Sequence, residues 1–392
     1  MSFSDFQDYN VNVDNPQKHF DPMETYVSFR ITTKVVKQNA KPDSEYIVRR
    51  RYNDFVWLRN KLIESFPTLV VPALPAKHSV LEQLDRYSRP FIMTRMAMLH
   101  SYLQRLTSHP VFSCSPVLEL FLRAQSLNDV MKQSKSSQGI FDRLTDSLHT
   151  LTGFNTRNCA HPEFENIKIY VTALSQKLGS VQEVAAKINK ERTEMALDFE
   201  DAQRSITHWS YQEPDLEELL KSIAEAIGTI SKSQNTQLLQ TYNTLIDQPL
   251  EEYCNYIDAV KEALCRRDMI QYNYESTLDD SKKKRAEKEQ LENLQGSTNG
   301  FGFKLWKVTN REKIRKLQQD LPALDQLVET NHDKMEIANE SIKSDLERWN
   351  CEKVAEIKSI FSKIAEQHVL YYEECAEAWE GTLKLLKGNN KQ

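Results

Sequence analysis

The first third of the chain carries two hydrophobic patterns in turn. Apolar and polar residues alternate in ETYVSFRITTKVV from residue 24 and in SEYIVRRRY from residue 44, which predicts two strands that pair across the turn KQNAKPD. In NDFVWLRNKLIESF the apolar residues recur every three or four positions, which predicts a helix with Asn53 or Asp54 as its N-cap. A second helix follows in SRPFIMTRMAMLHSYLQRL, and PVLELFLRA closes a compact α+β unit near residue 125.

From about residue 160 the pattern is helical almost throughout. Three long segments, at about 160–208, 213–293 and 311–387, are separated by SYQEP and by the Gly-rich GSTNGFGF. A helix of about 80 residues is roughly 120 Å long and cannot bury an apolar seam alone, so an elongated bundle is predicted. Pro249 and Pro322 lie inside the second and third segments and should kink them. We favour a curved rod over a straight coiled-coil rod that is interrupted at these prolines.

Composition narrows the class of protein. The 392 residues include only 9 glycines and 13 prolines. Because these residues form turns and end helices, their low number favours long helices. A net charge of −5 argues against general nucleic-acid binding, so an anion site must be a local patch. The six cysteines include no C-x-x-C pair, which argues against a zinc site or a disulfide framework and for reduced thiols in the cytosol. No signal peptide opens the chain and no run of about 18 apolar residues occurs, so peripheral membrane contact is predicted.

Three consecutive arginines end the second predicted strand, and Tyr52 follows them. The planar fork of arginine suits a phosphate better than the point charge of lysine. The alternative is a solvated charged run on an edge strand, where such residues discourage aggregation. Lys77, just after a proline loop, and Arg95, bordering the buried side of its helix, favour an anion site because an unpaired buried charge is costly. Arg51, Lys77 and Arg95 are therefore predicted to form a concave site for a multiply charged ligand.

The segments RRRYNDF, VVPALPAK and TRMAMLHSYLQRLTSHPVF, in this order, resemble the phox-homology (PX) domain that binds phosphatidylinositol 3-phosphate. The resemblance covers about residues 22–125 and implies a three-stranded sheet plus helices. It implies that Arg51 holds the 3-phosphate and that Tyr52 packs against the inositol ring. It further implies that Lys77 meets the 1-phosphate and that Arg95 meets the 4- and 5-hydroxyls.

The remainder of the chain resembles the BAR domain of the PX–BAR sorting nexins. NESIKSDLERWNCEKVAEIKSIF and YYEECAEAWE are similar to its last helix, and VKEALCRRDMIQYNYE to its middle one. The subgroup resembles sorting nexins 4, 7 and 30, which implies endosomal coat-like proteins that act as dimers, often heterodimers. The implied fold class is an α+β PX domain followed by an all-α BAR domain, a long kinked three-helix bundle that dimerises. The predicted domains are a disordered N-terminus at 1–22, the PX domain at 23–126, a linker with an amphipathic helix at 127–155, and the BAR domain at 156–388.

Three segments are candidates for direct membrane contact. The amphipathic helix predicted at 140–152 either lies among lipid headgroups, which we favour on the family resemblance, or packs between the domains. Residues 282–316 hold eleven Lys/Arg against four Glu, a local charge of +7. They either attract an anionic leaflet or form a solvated hairpin loop whose aromatic residues pack on the helices.

The candidate contact residues are Val70, Val71 and Leu74, in a proline loop that resembles the membrane-dipping loop of PX domains; Phe141, Leu144 and Leu148; and Lys282, Lys283, Lys284, Arg285, Lys304 and Lys307.

Enzyme motifs are absent from the sequence, which lacks G-x-x-x-x-G-K-[ST] and H-E-x-x-H. We therefore predict no catalytic residues, no metal, no cofactor and no nucleic-acid partner. The predicted function is binding to phosphatidylinositol 3-phosphate by a cytoplasmic protein that is peripheral on early or recycling endosomes and pairs with itself or with another PX–BAR sorting nexin. Its predicted processes are cargo sorting and recycling, membrane tubulation and autophagy. The alternative is a coiled-coil adaptor that binds proteins without lipid selectivity.

Overall fold

A computed structural model of the chain describes residues 8–20, 25–36, 45–75, 87–127, 161–296 and 304–389. It divides into two compact units: the first contains Met1–Val171 and Asp258–Glu347, and the second contains Thr172–Ile257 and Arg348–Gln392. The helix predicted at 140–152 lies outside the described residues. Within the described ranges, no helix has an apolar stretch long enough to cross a membrane.

The sheet of the first unit has three antiparallel strands in the order β1-β2-β3. They are β1 (Asp8–Phe20), β2 (Thr25–Val36) and β3 (Glu45–Arg51). β2 and β3 are the two strands that the alternation predicts, and they pair from Ser28 opposite Arg51 to Lys34 opposite Glu45. The three-stranded sheet that the family resemblance implies is therefore confirmed.

β1 corrects the predicted N-terminus, because residues 8–20 form a strand where the sequence suggested disorder over 1–22. Val11 and Val13 are buried, at 3% and 4% exposure, so this strand contributes to the core. The pairing with β2 is interrupted by a bulge next to Asn15, whose φ of 44° lies in the left-handed region. Apolar burial and ladder hydrogen bonds offset the entropy lost on ordering this polar segment.

Three helices cover the sheet: α1 (Tyr52–Ser65), α2 (Arg89–Ser108) and α3 (Pro116–Arg123). α1 begins at Tyr52 with Arg51 as its N-cap, so the prediction of Asn53 or Asp54 as N-cap is wrong. Asp54 instead uses its side chain to accept a hydrogen bond from the Arg51 backbone N–H at 2.8 Å. One core joins the sheet to the helices; its fully buried helical members include Phe55, Leu58, Leu62, Leu99, Leu103, Leu106, Leu118 and Phe121.

The rest of the described chain is helical, as predicted. Its helices are α4 (Pro162–Ser210), α5 (Glu217–Ser233), α6 (Gln248–Gly296) and α7 (Lys304–Asn389). Two π-helical segments, Gln234–Leu239 and Asn243–Asp247, separate α5 from α6. Pro249 is the second residue of α6, which directly follows the second π segment within a continuous helical stretch, and Pro322 lies inside α7. The sequence predicted that the helix would depart from regular α geometry at Pro249 itself. The structure instead places this departure in the wide turns of the two π segments.

A buried polar group joins the helices of the second unit next to the first π segment. Gln234 is fully buried, and its amide nitrogen donates to the Arg192 carbonyl at 2.5 Å. Its amide oxygen accepts from the Tyr371 hydroxyl at 3.4 Å. Because a buried amide must find partners, this group favours one register of α4 and α7 around the π segment.

Candidate functional site

Arg50, the middle arginine at the end of β3, is part of the protein core. Successive side chains of a strand point to opposite faces, and Arg50 shares the inward face with Val48. It is 2% exposed, and its guanidinium donates to the Phe121 carbonyl at 3.0 and 2.7 Å and also to the Ala124 carbonyl. Burial lowers the pKa of Arg50 to about 10. Arg50 therefore caps the C-terminus of α3.

Arg49 and Arg51 point to the opposite face and differ in their contacts. Arg49 is engaged by β2, because it donates to the Ser28 hydroxyl and the Ser28 carbonyl, both at 2.9 Å. Arg51 ends the strand, and 38% of its side chain is exposed. Of the three arginines, Arg51 has the guanidinium best placed to meet a ligand.

Tyr26 and Asp54 are two of the neighbours that orient the Arg51 side chain. Its guanidinium lies 5.7 Å from the ring centroid of Tyr26, and its Nε lies 3.7 Å from the nearer Asp54 oxygen. Burial raises the pKa of Asp54, although the hydrogen bond and charge of Arg51 oppose this effect. A long, partly solvated pair of this kind contributes little energy, so an anion can replace it at small cost.

Tyr52 and Arg95 are brought into contact, although they are 43 positions apart in the sequence. The Arg95 guanidinium lies between two aromatic rings, 4.5 Å from the centroid of Tyr52 and 4.6 Å from that of Phe91. The Tyr52 hydroxyl donates to the Pro75 carbonyl at 2.6 Å, and burial raises the pKa of this hydroxyl. The two aromatic rings therefore hold the Arg95 guanidinium in place.

Tyr26, Asp54 and Phe91 are site neighbours that the sequence analysis did not assign. Two of them carry a local signal: Asp54 follows Arg51 by three residues at a helix start, and Phe91 precedes Arg95 by one helical turn. Tyr26 lies on another strand and approaches Arg51 only through sheet pairing.

The proline loop differs from its prediction. Val70 and Val71 are buried, at 0% and 1% exposure, so the structure contradicts their assignment as membrane-contact residues. Leu74 is partly buried and packs against the core of the sheet and helices. Lys77 lies outside the described residues, as do Phe141, Leu144 and Leu148.

The basic candidates near the end of α6 lie at the surface. Lys282, Lys283 and Arg285 are exposed, and Lys284 is partly buried. Lys283 pairs with Asp279 at 2.6 Å, and Arg285 pairs with Asp325 at 2.7 Å. Exposed ion pairs of this kind are weak and screened by salt, so these cations can still meet an anionic surface. Lys304 and Lys307 belong to α7, but their side chains lie outside the described set.

An apolar stripe on α7 is exposed in the second unit. Val354, Phe361, Tyr372 and Trp379 are 45%, 47%, 62% and 44% exposed. Their spacings of 7, 11 and 7 residues place all four on one face of a helix. A stripe of large apolar side chains at helical spacing is typical of an interface with another chain.

A three-stranded sheet with covering helices, followed by long helices, defines the class of protein that joins a PX domain to a long helical BAR-type domain. Family models agree with this class. The model described as PX domain matches residues 38–125, and the model described as Vps5 C terminal like matches residues 138–385.

The chain belongs to the PX–BAR sorting nexins, so the predicted family and fold class are confirmed. Sorting nexin-30 of Mus musculus is 33% identical over 384 residues, which cover 97% of this chain and 78% of the relative. Sorting nexin-7 of Homo sapiens is 29% identical over 380 residues, 97% and 89% of the two chains. The cryo-EM structure of the SNX-BAR Mvp1 tetramer has a TM-score of 0.67 at 16% identity, covers 95% of this chain and 99% of its own, and supports the fold.

Membership fixes the broad role of the protein. Sorting nexins are peripheral membrane proteins of the endosomal system, and a PX domain joined to a BAR domain implies membrane-associated trafficking. PX–BAR sorting nexins bind phosphoinositide membranes and dimerise. They are in general non-enzymatic scaffolds.

Proposed function

We propose that this protein binds phosphatidylinositol 3-phosphate through Arg51, Tyr52, Lys77 and Arg95. The observation that carries the proposal is the preorganised contact between Tyr52 and Arg95, next to the partly exposed Arg51 at the end of β3. Arg51 holds the 3-phosphate through its guanidinium fork. Tyr52 supports the inositol ring, and Arg95 donates to the 4- and 5-hydroxyls. Lys77 contributes the charge that meets the 1-phosphate.

The PX domain spans 23–126 in this proposal and also includes β1, the linker spans 127–155, and the BAR domain spans 156–388. The proposal also assigns contact with the lipid headgroup layer to the segment 140–152, through Phe141, Leu144 and Leu148. The exposed cations near the end of α6 add a second, charge-driven contact with an anionic leaflet.

The BAR domain dimerises through the apolar stripe on α7, with either a second copy of this chain or another PX–BAR sorting nexin. The stripe favours pairing because large apolar side chains at one face of a helix gain by leaving water. Phe361 and Trp379 are the largest non-polar anchors along it, and aromatic anchors are typical of interface centres.

In the cell, these contacts place the protein on early or recycling endosomes, where the 3-phosphorylated lipid selects the membrane and the paired helical domains favour curvature. The resulting processes are cargo sorting and recycling, membrane tubulation and autophagy.

Flotation with liposomes that differ only in the inositol phosphate tests the lipid assignment. Wild type should float with phosphatidylinositol 3-phosphate in preference to the 4-phosphate at the same molar fraction. Arg51→Gln should lose most of this preference, because charge-assisted hydrogen bonds to phosphate are worth about 1.5–3 kcal/mol each. Arg30→Gln is a matched control, since Arg30 lies on the neighbouring strand and pairs with Asp14 at 2.6 Å.

Undiminished selectivity of Arg51→Gln would reject the pocket. Flotation that is equal for both phosphoinositides and is removed by salt would assign the membrane contact to the helical cations alone. No flotation, together with salt-insensitive protein binding, would favour the adaptor function.

A further inference from the structure

Arg95 is enclosed by two aromatic side chains that come from different helices. The Phe91 ring centroid lies 4.6 Å from the guanidinium carbon of Arg95, and the Tyr52 ring centroid lies 4.5 Å from it. A cation over an aromatic ring is attracted by the negative face of that ring. Because the guanidinium lies between two such rings, a movement away from one ring weakens that attraction and is blocked by the other ring. The two rings therefore hold the guanidinium in one position.

Both rings are themselves fixed. Tyr52 begins α1, its ring packs against the core of the sheet and helices, and its hydroxyl donates to the Pro75 carbonyl at 2.6 Å. Phe91 lies in the first turn of α2, where its backbone N–H donates to the hydroxyl of Ser88, the N-cap, at 3.4 Å. Phe91 and Arg95 are four residues apart on one helix, so their side chains lie on the same face. The start of α2 therefore sets the position of the Phe91 ring relative to Arg95.

The proposed headgroup contacts place a size limit on this part of the site. Arg95 is assigned to the 4- and 5-hydroxyls, and a hydrogen bond to a hydroxyl requires about 2.7–3.2 Å between heavy atoms. A phosphate at position 4 or 5 is longer than a hydroxyl by a phosphorus atom and a terminal oxygen. The guanidinium would have to move back to meet it, and the two rings oppose that movement. Charge alone would favour the more highly phosphorylated headgroup, since Arg51 and Arg95 attract each added phosphate.

We propose that Phe91 is a positioning residue that makes the site select the 3-monophosphate over headgroups with a further phosphate at position 4 or 5. The inference rests on the proposed function and deepens it, because it names the residue that excludes other members of the same lipid class. Phe91 acts through Arg95 and has no assigned contact with the ligand. Specificity of this kind arises because a competing ligand meets a clash or a misplaced charge. Tyr52 also restrains Arg95, but its ring supports the inositol as well, so Phe91 is the residue whose replacement isolates the effect.

Calorimetry with the full chain and two soluble probes, inositol 3-phosphate and inositol 3,5-bisphosphate, tests the inference. Neither probe carries a 1-phosphate, so the comparison concerns only the part of the site around Arg51 and Arg95. Wild type should prefer the monophosphate by about 10-fold, as expected when one charged contact is misplaced. Phe91→Leu keeps an apolar side chain but removes the ring, so the Arg95 guanidinium can move back. This variant should bind the bisphosphate about 5-fold more tightly than wild type does, while its affinity for the monophosphate changes by less than about 2-fold.

Two variants on the same helix serve as controls. Phe91→Tyr keeps the aromatic face and should keep the wild-type preference. Met93→Ala changes a side chain of the same turn that is 44% exposed, and it should leave the affinities for both probes unchanged. Phe91→Met, which is apolar and similar in size but has no ring, is a second test variant with the same expected result as Phe91→Leu. A higher affinity for the bisphosphate is a gain that a merely destabilised protein would not show.

The outcomes separate this inference from the proposed function. If Phe91→Leu and Phe91→Met retain the full preference for the monophosphate while Arg51→Gln loses both probes, the role of Phe91 is overturned and the lipid site stands. An equal loss of both probes in the Phe91 variants assigns the ring to general support of the site and also overturns its role in specificity. Wild type that binds the bisphosphate as tightly as the monophosphate shows that nothing is excluded, with the same consequence. Arg51→Gln that binds both probes like wild type rejects the lipid site, and the role of Phe91 with it.

Discussion

Replacing Arg50 with methionine should weaken the fold, whereas the same change at Arg51 should weaken lipid binding. Methionine keeps most of the apolar length of arginine but cannot donate to the Phe121 and Ala124 carbonyls at the end of α3. Hydrogen bonds to charged groups contribute about 1.5–3 kcal/mol each, so the loss at two carbonyls is about 3–6 kcal/mol. Domains are typically stable by about 5–15 kcal/mol, which makes this a large fraction of the total.

Arg51→Met should reduce stability much less than Arg50→Met, because 38% of the Arg51 side chain is exposed and its pair with Asp54 is long, at 3.7 Å. Two-state analysis does not suit a chain with two compact units, so local hydrogen exchange is the appropriate assay. Arg50→Met should speed exchange in Pro116–Arg123 by roughly 100-fold or more, and Arg51→Met by less than about 5-fold.

Binding of phosphatidylinositol 3-phosphate liposomes completes the comparison of the two variants. Arg51→Met should lose binding at a temperature where both proteins remain folded, and Arg50→Met should retain it. Unchanged exchange across α3 in Arg50→Met would refute the assignment of Arg50 to the core. Equal loss of lipid binding in both variants would show that the triplet acts as one charged surface.

Three further predictions follow from single contacts. Tyr52→Phe keeps the ring beside Arg95 but loses the bond to Pro75, so affinity for the soluble headgroup should fall about 2- to 10-fold by calorimetry. The hydrogen bond from Arg30 lowers the pKa of Asp14. The stability that this ion pair contributes is therefore complete above the ordinary pKa of 3.8, and it is lost as the pH falls through the lower pKa of the folded state. Asp14→Asn should make the thermal unfolding temperature depend less on pH in the acid range. Phe361→Asp should convert the dimer to monomer in light scattering at micromolar concentration, whereas Glu366→Gln, at the surface of the same helix, should leave its mass unchanged.

Sequence patterns predicted the strands and helices in which apolar residues recur at a regular spacing. These are β2, β3, α1, α2 and the long helices. β1 does not, because DYNVNVDNPQKHF is rich in turn-forming residues, and its two inward valines gain their burial from partners elsewhere in the chain. A strand of this composition is stabilised by the sheet and the helix that pack against it. Single-residue propensities do not include these contacts.

The residue types of the site could be predicted from the sequence. The burial and the contacts of these residues were harder to predict. Strand alternation could have assigned Arg50 to the inward face with Val48, since both lie on the same side of β3. Val70 and Val71 show the opposite case. Their apolar pattern beside prolines suits a membrane-facing loop, but both are buried, and the backbone of Leu69 and Val70 is hydrogen-bonded to Arg266 of α6 and Asp345 of α7, about 200 or more positions later. Contacts at such separations leave no local pattern in the sequence.

The proposed dimer gives the lipid site a role that a single pocket cannot have. Two pockets on one particle make the second binding event intramolecular, at an effective concentration set by the distance between them, and linked sites of this kind gain about 10²- to 10⁴-fold in avidity. A modest affinity per pocket is then sufficient for binding to a membrane that is rich in the lipid. It is insufficient for binding to a membrane that contains little of the lipid. The position of each pocket matters for the same reason, because avidity is lost when geometry prevents both sites from engaging one surface.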